Sequence, residues 1–463
     1  MKRLFKKLAN TNISTAYIFI LLGISTLMMA GYFSYAWFTV QGVQKYSVVT
    51  GNLYGTVAIG TNSVTIAGQG VLTYTPTTDS DTIILTVTNT NDRTVKNSIY
   101  YYNLSDSTIQ IGYTSDSPTI PSTTGVSVNQ NKTLTYKIKI NKAKGKQIKI
   151  GSSMGLNNFN LTLPSGTTAF SLLKDPTGAE TLIAKANPET LDYATATTDQ
   201  KNQMWAFTHE ATEQLAATTD YRYIGANPNN YVKFNDELWR IIGVFDVDDG
   251  TGKIEKRMKI IRNESIGEYS WANNNESEWS TASLKATLNT GTFYTGLKDT
   301  AKTMIGDAKW YLGGSGTYND VTPPMFYTRE RGTTVYNSSR STNWTGKVGL
   351  MYPSDYGYAT SGGSSKNRAS CMAKELYKWD SWSYSDCYNN DWLLSTSTAQ
   401  WTISPGATFL GHVFCVDSTG VVGPDGADRS SLVVRPVVHL KSTIKVISGS
   451  GTTSSPFILS GIR

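Results

Sequence analysis

Residues 16–40, AYIFILLGISTLMMAGYFSYAWFTV, hold no charged side chain, and the uncharged interval runs from Leu8 to Gln44. About 20 apolar residues, rising about 1.5 Å each, cross the roughly 30 Å hydrocarbon core of a bilayer, so this stretch predicts a transmembrane helix. Lys2, Arg3, Lys6 and Lys7 stand before it in a short basic tail, residues 1–15. A basic N-terminal flank stays cytoplasmic, which is expected to send the chain after Val40 out of the cell. Small residues at Ala30, Gly31, Ser34 and Ala36 also offer signal-peptidase sites. The apolar run is nevertheless longer than the roughly 7–15 residues of a secretory core. Retention as a single-pass signal anchor in the cell membrane and secretion after cleavage therefore both stand, and both make the remainder extracellular.

With 463 residues the chain can hold two or three domains of ordinary size. Charged residues make up 17% and aromatics 11%, with abundant Gly, Ser, Thr and Asn, a mix that suits β-rich modules with polar turns. Three cysteines are too few for a disulfide scaffold, so the domains must fold mainly on apolar cores. Of the net charge of +7, four positive charges belong to the leading tail, leaving +3 for the rest. Residues 41–165 carry ten Lys/Arg against five Asp, so residues 166–463 are near −2. That balance, with an exported location, argues against a nucleic-acid partner.

Residues 41–165 read as strands. The run 82–87 (TIILTV) precedes the turn-forming Asn89-Thr90-Asn91-Asp92, and residues 134–140 (LTYKIKI) alternate apolar positions with Lys137 and Lys139. Residues 147–150 and 159–163 supply further short strands, and the spacing predicts an all-β sandwich. Lys132, Lys137, Lys139, Lys142, Lys144, Lys146 and Lys149 follow one another with no acidic residue between them. They are either a cationic face for anionic wall polymers or lipid head groups, or a solvated strand face that discourages edge pairing.

Residues 166–220 read as a polar connector with a helix at 203–217. A sharp change of composition places the domain boundary at 200–220, since ten of eleven tryptophans fall between Trp205 and Trp401. Residues 221–463 then form an α+β domain. It opens with strands around the turn Asn227-Pro228-Asn229-Asn230, and a hairpin closes over residues 246–252. Ser280 is expected to cap a helix carrying Leu284 and Leu288, four residues apart on one buried stripe. A second short helix is expected at 371–377, and residues 433–440 read as a continuous apolar strand broken only by Arg435-Pro436.

Two resemblances add to this reading. GYFSYAWFTV, VVTGNLYGTVAI and the later TVTNTND resemble camelysin/TasA-like surface and biofilm-matrix proteins of Gram-positive bacteria, which implies a jelly-roll sandwich. In order, WRIIGV, GLMYPSDYGYA, DWLLSTSTAQW, VFCVDSTGVV and VRPVVHL resemble a bacterial surface domain of unknown function. Its layout is similar to the formylglycine-generating-enzyme variant of the C-type-lectin-like fold. The closing ISGSGTTSSPFIL resembles a terminal hairpin of bacterial surface proteins. Such an architecture hosts enzymes and binding modules alike.

Catalytic signatures are sparse. Formylglycine-generating enzymes carry a close cysteine pair near the C-terminus, whereas Cys371, Cys387 and Cys415 are widely spaced. Cys371 and Cys387 are expected to form a disulfide bracketing the short helix, with Cys415 a buried thiol in the strand 412–417. His209-Glu210 begins an HExxH motif that Glu213 fails to complete, and is expected on an exposed helix. His439 is expected within a strand. Asp246, Asp248 and Asp249 precede Gly250 one position too early for an EF-hand, so a hairpin tip is expected. No metal, cofactor or catalytic residue is assigned. The candidate ligand-binding residues are Asp355, Tyr356, Trp379, Trp382, Trp392 and Arg435, and Lys137, Lys139, Lys142, Lys144 and Lys146 are the anionic-polymer candidates. Most of those aromatics have a core position as their alternative, and Arg435 has an ion pair with Asp355. The expected function is a membrane-tethered surface protein with a non-catalytic binding or adhesive role, its partner a wall polymer or glycan. The alternatives are a self-associating subunit of matrix fibres and a hydrolase, which would need two carboxylates converging in one cleft.

Overall fold

A computed structural model of the chain describes residues 24–25, 55–59, 65–67 and 70–460, apart from 159, 174–175, 213–215, 334–339, 396 and 409. The membrane helix expected at 16–40 lies outside the described residues except for Ile24 and Ser25. Among the described residues no helix is long and apolar enough to cross a membrane. The described chain is mostly β-sheet with short helices, and it divides into two units, Met1–Asp175 and Pro176–Arg463.

In the first unit the strands are β1 (Gly55–Ile59), β2 (Thr65–Ala67), β3 (Gly70–Tyr74), β4 (Ser80–Asn89), β5 (Val95–Tyr102), β6 (Gln110–Tyr113), β7 (Val126–Val128), β8 (Thr133–Asn141), β9 (Ile148–Leu156) and β10 (Thr167–Ala169). One antiparallel sheet has the order β2-β1-β4-β8-β6 and the other β10-β5-β9-β3, with β7 also on β5. From β2 to β9 each successive strand changes sheet. The alternation in the sequence decides which face closes. Ile83, Leu85 and Val87 of β4 oppose Ile138, Tyr136 and Leu134 of β8, and they meet Leu72, Val95, Ile99 and Ile150 of the other sheet in one core. Tyr136 donates to Asn97 Oδ1 across that core at 3.0 Å, and Asn97 Nδ2 donates onward to Ser152 Oγ at 2.8 Å, so the buried polar groups are satisfied. At the turn after β4, buried Asn89 donates to the carbonyls of Arg93 and Val128 and accepts from the backbone N–H of Asn91.

The second unit centres on a nine-stranded sheet. Its strands are β11 (Trp205–His209), β12 (Thr218–Arg222), β13 (Tyr231–Phe234), β14 (Glu237–Asp248) and β15 (Ile254–Arg262), then β18 (Val348–Gly349), β22 (Val437–His439), β23 (Val446–Ser448) and β24 (Phe457–Leu459). The order is β18-β22-β15-β14-β13-β24-β23, with β12 on β14 and β11 on β12. β16 (Ala308–Tyr311) pairs β17 (Asn343–Gly346), and β19 (Gln400–Pro405), β20 (His412–Val416) and β21 (Val422–Gly426) form a third sheet. β14 is a near-continuous apolar run because it is covered on both faces. Nine short helices are described: α1 (Gly178–Ile183), α2 (Thr198–Lys201), α3 (Ser283–Asn289), α4 (Thr292–Gly296), α5 (Asp299–Met304), α6 (Pro323–Arg331), α7 (Pro353–Ala359), α8 (Arg368–Met372) and α9 (Ser385–Asn389).

Several expectations are corrected. The two units divide at 175/176 and not at 200–220, so the described residues of the expected connector fall to one unit or the other. β10 completes the sandwich against β5, while Ala179 and Leu182 of α1 and Met204 enter the second core. Within the helix expected at 203–217, Trp205–His209 form strand β11, because Trp205 and Phe207 are buried with a period of two, the period of a strand, and residues 213–215 lie outside the described residues. Ser280 caps nothing; α3 begins at Ser283 behind Ala282, although Leu284 and Leu288 are buried as expected. The expected helix 371–377 starts earlier, at Arg368, and gives way to a 3-10 turn, Leu376–Lys378. Residues 160–163 form no strand. The expected strand 433–440 is reduced to Val437–His439, because Pro436 has no N–H to donate and Val433 and Val434 bond elsewhere, to Ala399 and Gly267. The aspartate run is a hairpin tip, where Asp248 Oδ1 accepts from the N–H groups of Gly250 and Gly252 at 2.8 and 3.0 Å.

Candidate ligand-binding cleft

Most of the ligand-binding residues expected from sequence lie in the interior of the second unit. Asp355, Tyr356, Trp379 and Trp392 are buried, and only Trp382 is a surface residue, 91% exposed. The expected Asp355–Arg435 pair does not form. Asp355 Oδ1 accepts from Arg222 Nη1 at 2.9 Å, and its Oδ2 accepts from Lys259 Nζ and from the Tyr352 N–H that opens α7. Burial pushes the Asp355 carboxyl up, but Lys259 and Arg222 outweigh it and hold the group below the ordinary range. Arg222 Nη2 donates to Asp220 Oδ2 at 2.9 Å, and His209 Nε2 stands 3.1 Å from the same oxygen. His209 is thus not on an exposed helix; its ring lies flat on Tyr327 at 3.6 Å, and Arg331 lies 3.5 Å over that same ring. Arg435 finds no carboxylate. Its Nε donates to the Arg262 carbonyl at 3.0 Å, and burial lowers its pKa to about 10.

The anionic-polymer lysines divide. Lys137 and Lys139 stand on β8, which is paired on both sides, so the edge-protection reading does not apply to them. Lys137 Nζ meets Asp116 at 2.6 Å and Lys146 Nζ meets Asp106, acids brought in from other turns, while Lys142 and Lys144 are exposed. Cys371 and Cys387 are joined in a disulfide and Cys415 is a buried free thiol. Burial pushes the Cys415 thiol up to about 12, which makes it unreactive at neutral pH. Among the described residues no group of three His, Cys, Asp or Glu side chains gathers as a metal centre.

A cleft of about 440 Å³ opens on the second unit, within the range of small-molecule sites. Three pieces of chain wall it: the α2 region with Tyr193 and Lys201, the turn at Asn227-Pro228, and the loop 361–368 beside Asn390. Each piece is held by its own chemistry. The turn rests on Arg240, whose Nε donates to Asn230 Oδ1 at 2.8 Å and whose Nη2 donates to Asn227 Oδ1 at 3.2 Å. That guanidinium is stacked by Tyr231 and Trp392, each 4.4 Å from its carbon, so buried Trp392 positions the cleft wall from behind. The loop turns at Gly362 (φ +63°), where an added Cβ would lie 2.4 Å from the Arg368 nitrogen. Asp386 Oδ2 of α9 accepts from the N–H groups of Ser365 and Lys366 at 2.6 and 2.8 Å. The disulfide ties α8, which begins with Arg368, to α9, which ends beside Asn390. It therefore braces the third of these walls, the loop 361–368 beside Asn390.

Amides and hydroxyls recur in the lining, at Asn202, Asn227, Asn367, Asn390, Ser361 and Ser364, beside apolar surface that includes Ala194, Ala226 and Pro228. Such groups donate and accept at once, which suits ligands rich in hydroxyls. Lys201 and Arg368 are balanced in part by Asp192, the acidic side chain of the lining. Arg368 donates through Nη2 to the Tyr358 carbonyl at 3.0 Å, yet its buried Nε–H has no acceptor. Behind it Asp391 is buried, one oxygen taking the Leu393 N–H at 2.9 Å and the other without a donor; burial holds this carboxyl well above its usual range. Sequence reasoning missed Tyr193, Asn367, Arg368 and Asn390 as site residues. The available signal was the segment SGGSSKNR at 361–368, whose paired glycines and small polar residues mark a loop that lets backbone and amides approach a ligand. No protein-family model, curated protein or solved structure matches this chain.

Proposed function

We propose that this chain is an exported surface protein whose second unit binds a glycan, without cleaving it, in the cleft between Tyr193, Asn227 and Arg368. The observation that carries the reading is the cleft's lining of amides and hydroxyls with little net charge. Neutral polyhydroxylated ligands are recognised by such convergent donor–acceptor pairs. The disulfide beside the cleft supports an oxidising compartment, in keeping with the basic tail and apolar run of residues 1–40 as an export signal or anchor. The strand-by-strand change of sheet in the first unit supports a jelly-roll sandwich as the stalk. The mixed sheet and short helices of the second unit are compatible with a lectin-like α+β module.

The test is a binding screen of the purified protein against arrays of host, plant and bacterial-wall glycans. Retention of at least one glycan class is expected, with loss of that signal in Ser364→Trp, which fills the cleft from an exposed position. Uniform silence across the arrays sinks the reading. Turnover of a retained glycan into shorter products would replace binding with hydrolysis.

A further inference from the structure

A second cleft, of about 410 Å³, adjoins the first on the same unit. Asn202 lines both. Pro228 lines one and its neighbour Asn229 the other. The two openings are thus separated by a single ridge, and that ridge is rigidly made. Asn202 Oδ1 accepts from the Asn229 N–H at 3.2 Å, and its Nδ2 donates to the Thr198 carbonyl at 3.0 Å. One amide therefore locks the end of α2 to the turn at 227–230, and the clefts keep a fixed spacing.

The two clefts also repeat one composition. Each is lined by one half-buried aromatic ring, Tyr193 in the first, with Lys201 Nζ 5.2 Å from its ring centre, and Phe457 in the second. The first has Asp192 against Lys201 and Arg368, and the second has Asp199 against Lys185. An aromatic face with polar side chains around it accepts the apolar face of a ring while its edge is hydrogen-bonded. A near-balanced charge in both clefts offers a polyanion little attraction.

Resting on the glycan reading above, we infer that the ligand is an extended, uncharged oligosaccharide chain laid across the ridge at Asn202, with one subsite in each cleft. Two linked contacts turn the second binding event into an intramolecular one, which raises overall affinity by about 10²-fold or more once the chain is long enough to reach both.

Calorimetric titration of the whole protein with three oligomer ladders tests this: β-1,4-linked N-acetylglucosamine, β-1,4-linked glucose and α-linked mannose, each of about one to eight units, where a chain can outgrow a single cleft of drug-like size. At least one ladder is expected to show a step of about 10²-fold in affinity at the length that first spans the ridge. In Ser448→Trp, an exposed position of the second cleft, the ratio of long-oligomer to short-oligomer affinity is expected to fall to near one. Gln130→Ala, an exposed position on the other unit, should leave the step intact. Binding that is flat with length overturns the extended site and leaves the single-cleft reading standing. No binding by any ladder overturns the extended uncharged chain, and silence across the glycan arrays as well overturns the glycan reading with it. Dextran sulfate binding more tightly than every neutral ladder overturns the uncharged chain.

Discussion

In the sandwich, the side chains closed off from water are apolar or uncharged: Asn89, Asn97, Ser98 and Ser152 are its buried polar groups of note, and among the described residues no charged side chain joins them. In the second unit Asp220, Arg222, Lys259, Glu330, Asp355 and Asp391 are all buried. The difference teaches how two β-rich cores can be specified by unlike means. A two-sheet core is satisfied by alternation, because strand pairing alone brings Ile83 against Ile138. A core threaded by ions has an added requirement, since each buried charge costs several kcal/mol unless its partner arrives in good geometry. Asp355 draws Arg222 of β12 and Lys259 of β15 onto the start of α7, so misplacing any one of these elements strands the others. We regard this network as a device for a unique arrangement more than for net stability.

Fluorescence separates the two units, because ten of the eleven tryptophans lie between Trp205 and Trp401. The largest effect is expected for Asp355→Ala, which leaves Arg222 and Lys259 sharing a buried site without their common carboxylate. Denaturant unfolding followed by tryptophan emission should show a loss of about 3–5 kcal/mol in the second unit. A loss below about 1 kcal/mol would mean that the ions are not organising this core. Next is the disulfide. The double variant Cys371→Ser, Cys387→Ser opens a loop of 16 residues' separation. It should cost about 3 kcal/mol and loosen the cleft, so that glycan retention falls before the unit unfolds.

The third contrast is in pH. Glu330 accepts from the Ser354 N–H and hydroxyl, and burial pushes its pKa up to about 7. Below about pH 4.5 the group is protonated whether folded or unfolded, so its contribution is fully present. Between there and about 7 the unfolded chain releases the proton while the folded one keeps it, and stability falls as pH rises. The loss from this group reaches about 3 kcal/mol and then levels off. Thermal melts of Glu330→Gln from pH 4 to 8 should lack that slope, and an unchanged slope would assign it to other groups. The smallest effect is expected for Lys137→Ala. Its partner Asp116 is fully exposed, so circular-dichroism melts of the sandwich should not move measurably. A shift as large as that of Asp355→Ala would erase the distinction between the two cores.

Alternation made β4 and β8 legible, and the hairpin of β14 and β15 with its aspartate tip was readable for the same local reasons. The turn at Asn227-Pro228 and the helix stripe of Leu284 and Leu288 were also within reach of short-range rules. The strand β11 was missed because polar residues on both sides of it hid its period of two. The acids on Lys137 and Lys146 come from positions 21 and 40 residues away, so a run of lysines without intervening acids said little about the charge it meets in space.

By itself the sequence determined what neighbours along the chain can decide: strand periodicity, turn chemistry, an uncharged stretch near the N-terminus and the bias of the second unit toward aromatics. Only the tertiary structure decided that Asp355 belongs to Lys259 and Arg222, 96 and 133 residues away, and that Tyr193, Asn227 and Arg368 share one opening. The physical reason is range. Backbone periodicity is felt over a few residues, whereas a buried ion pair or a cleft wall depends on which distant strands the topology sets side by side.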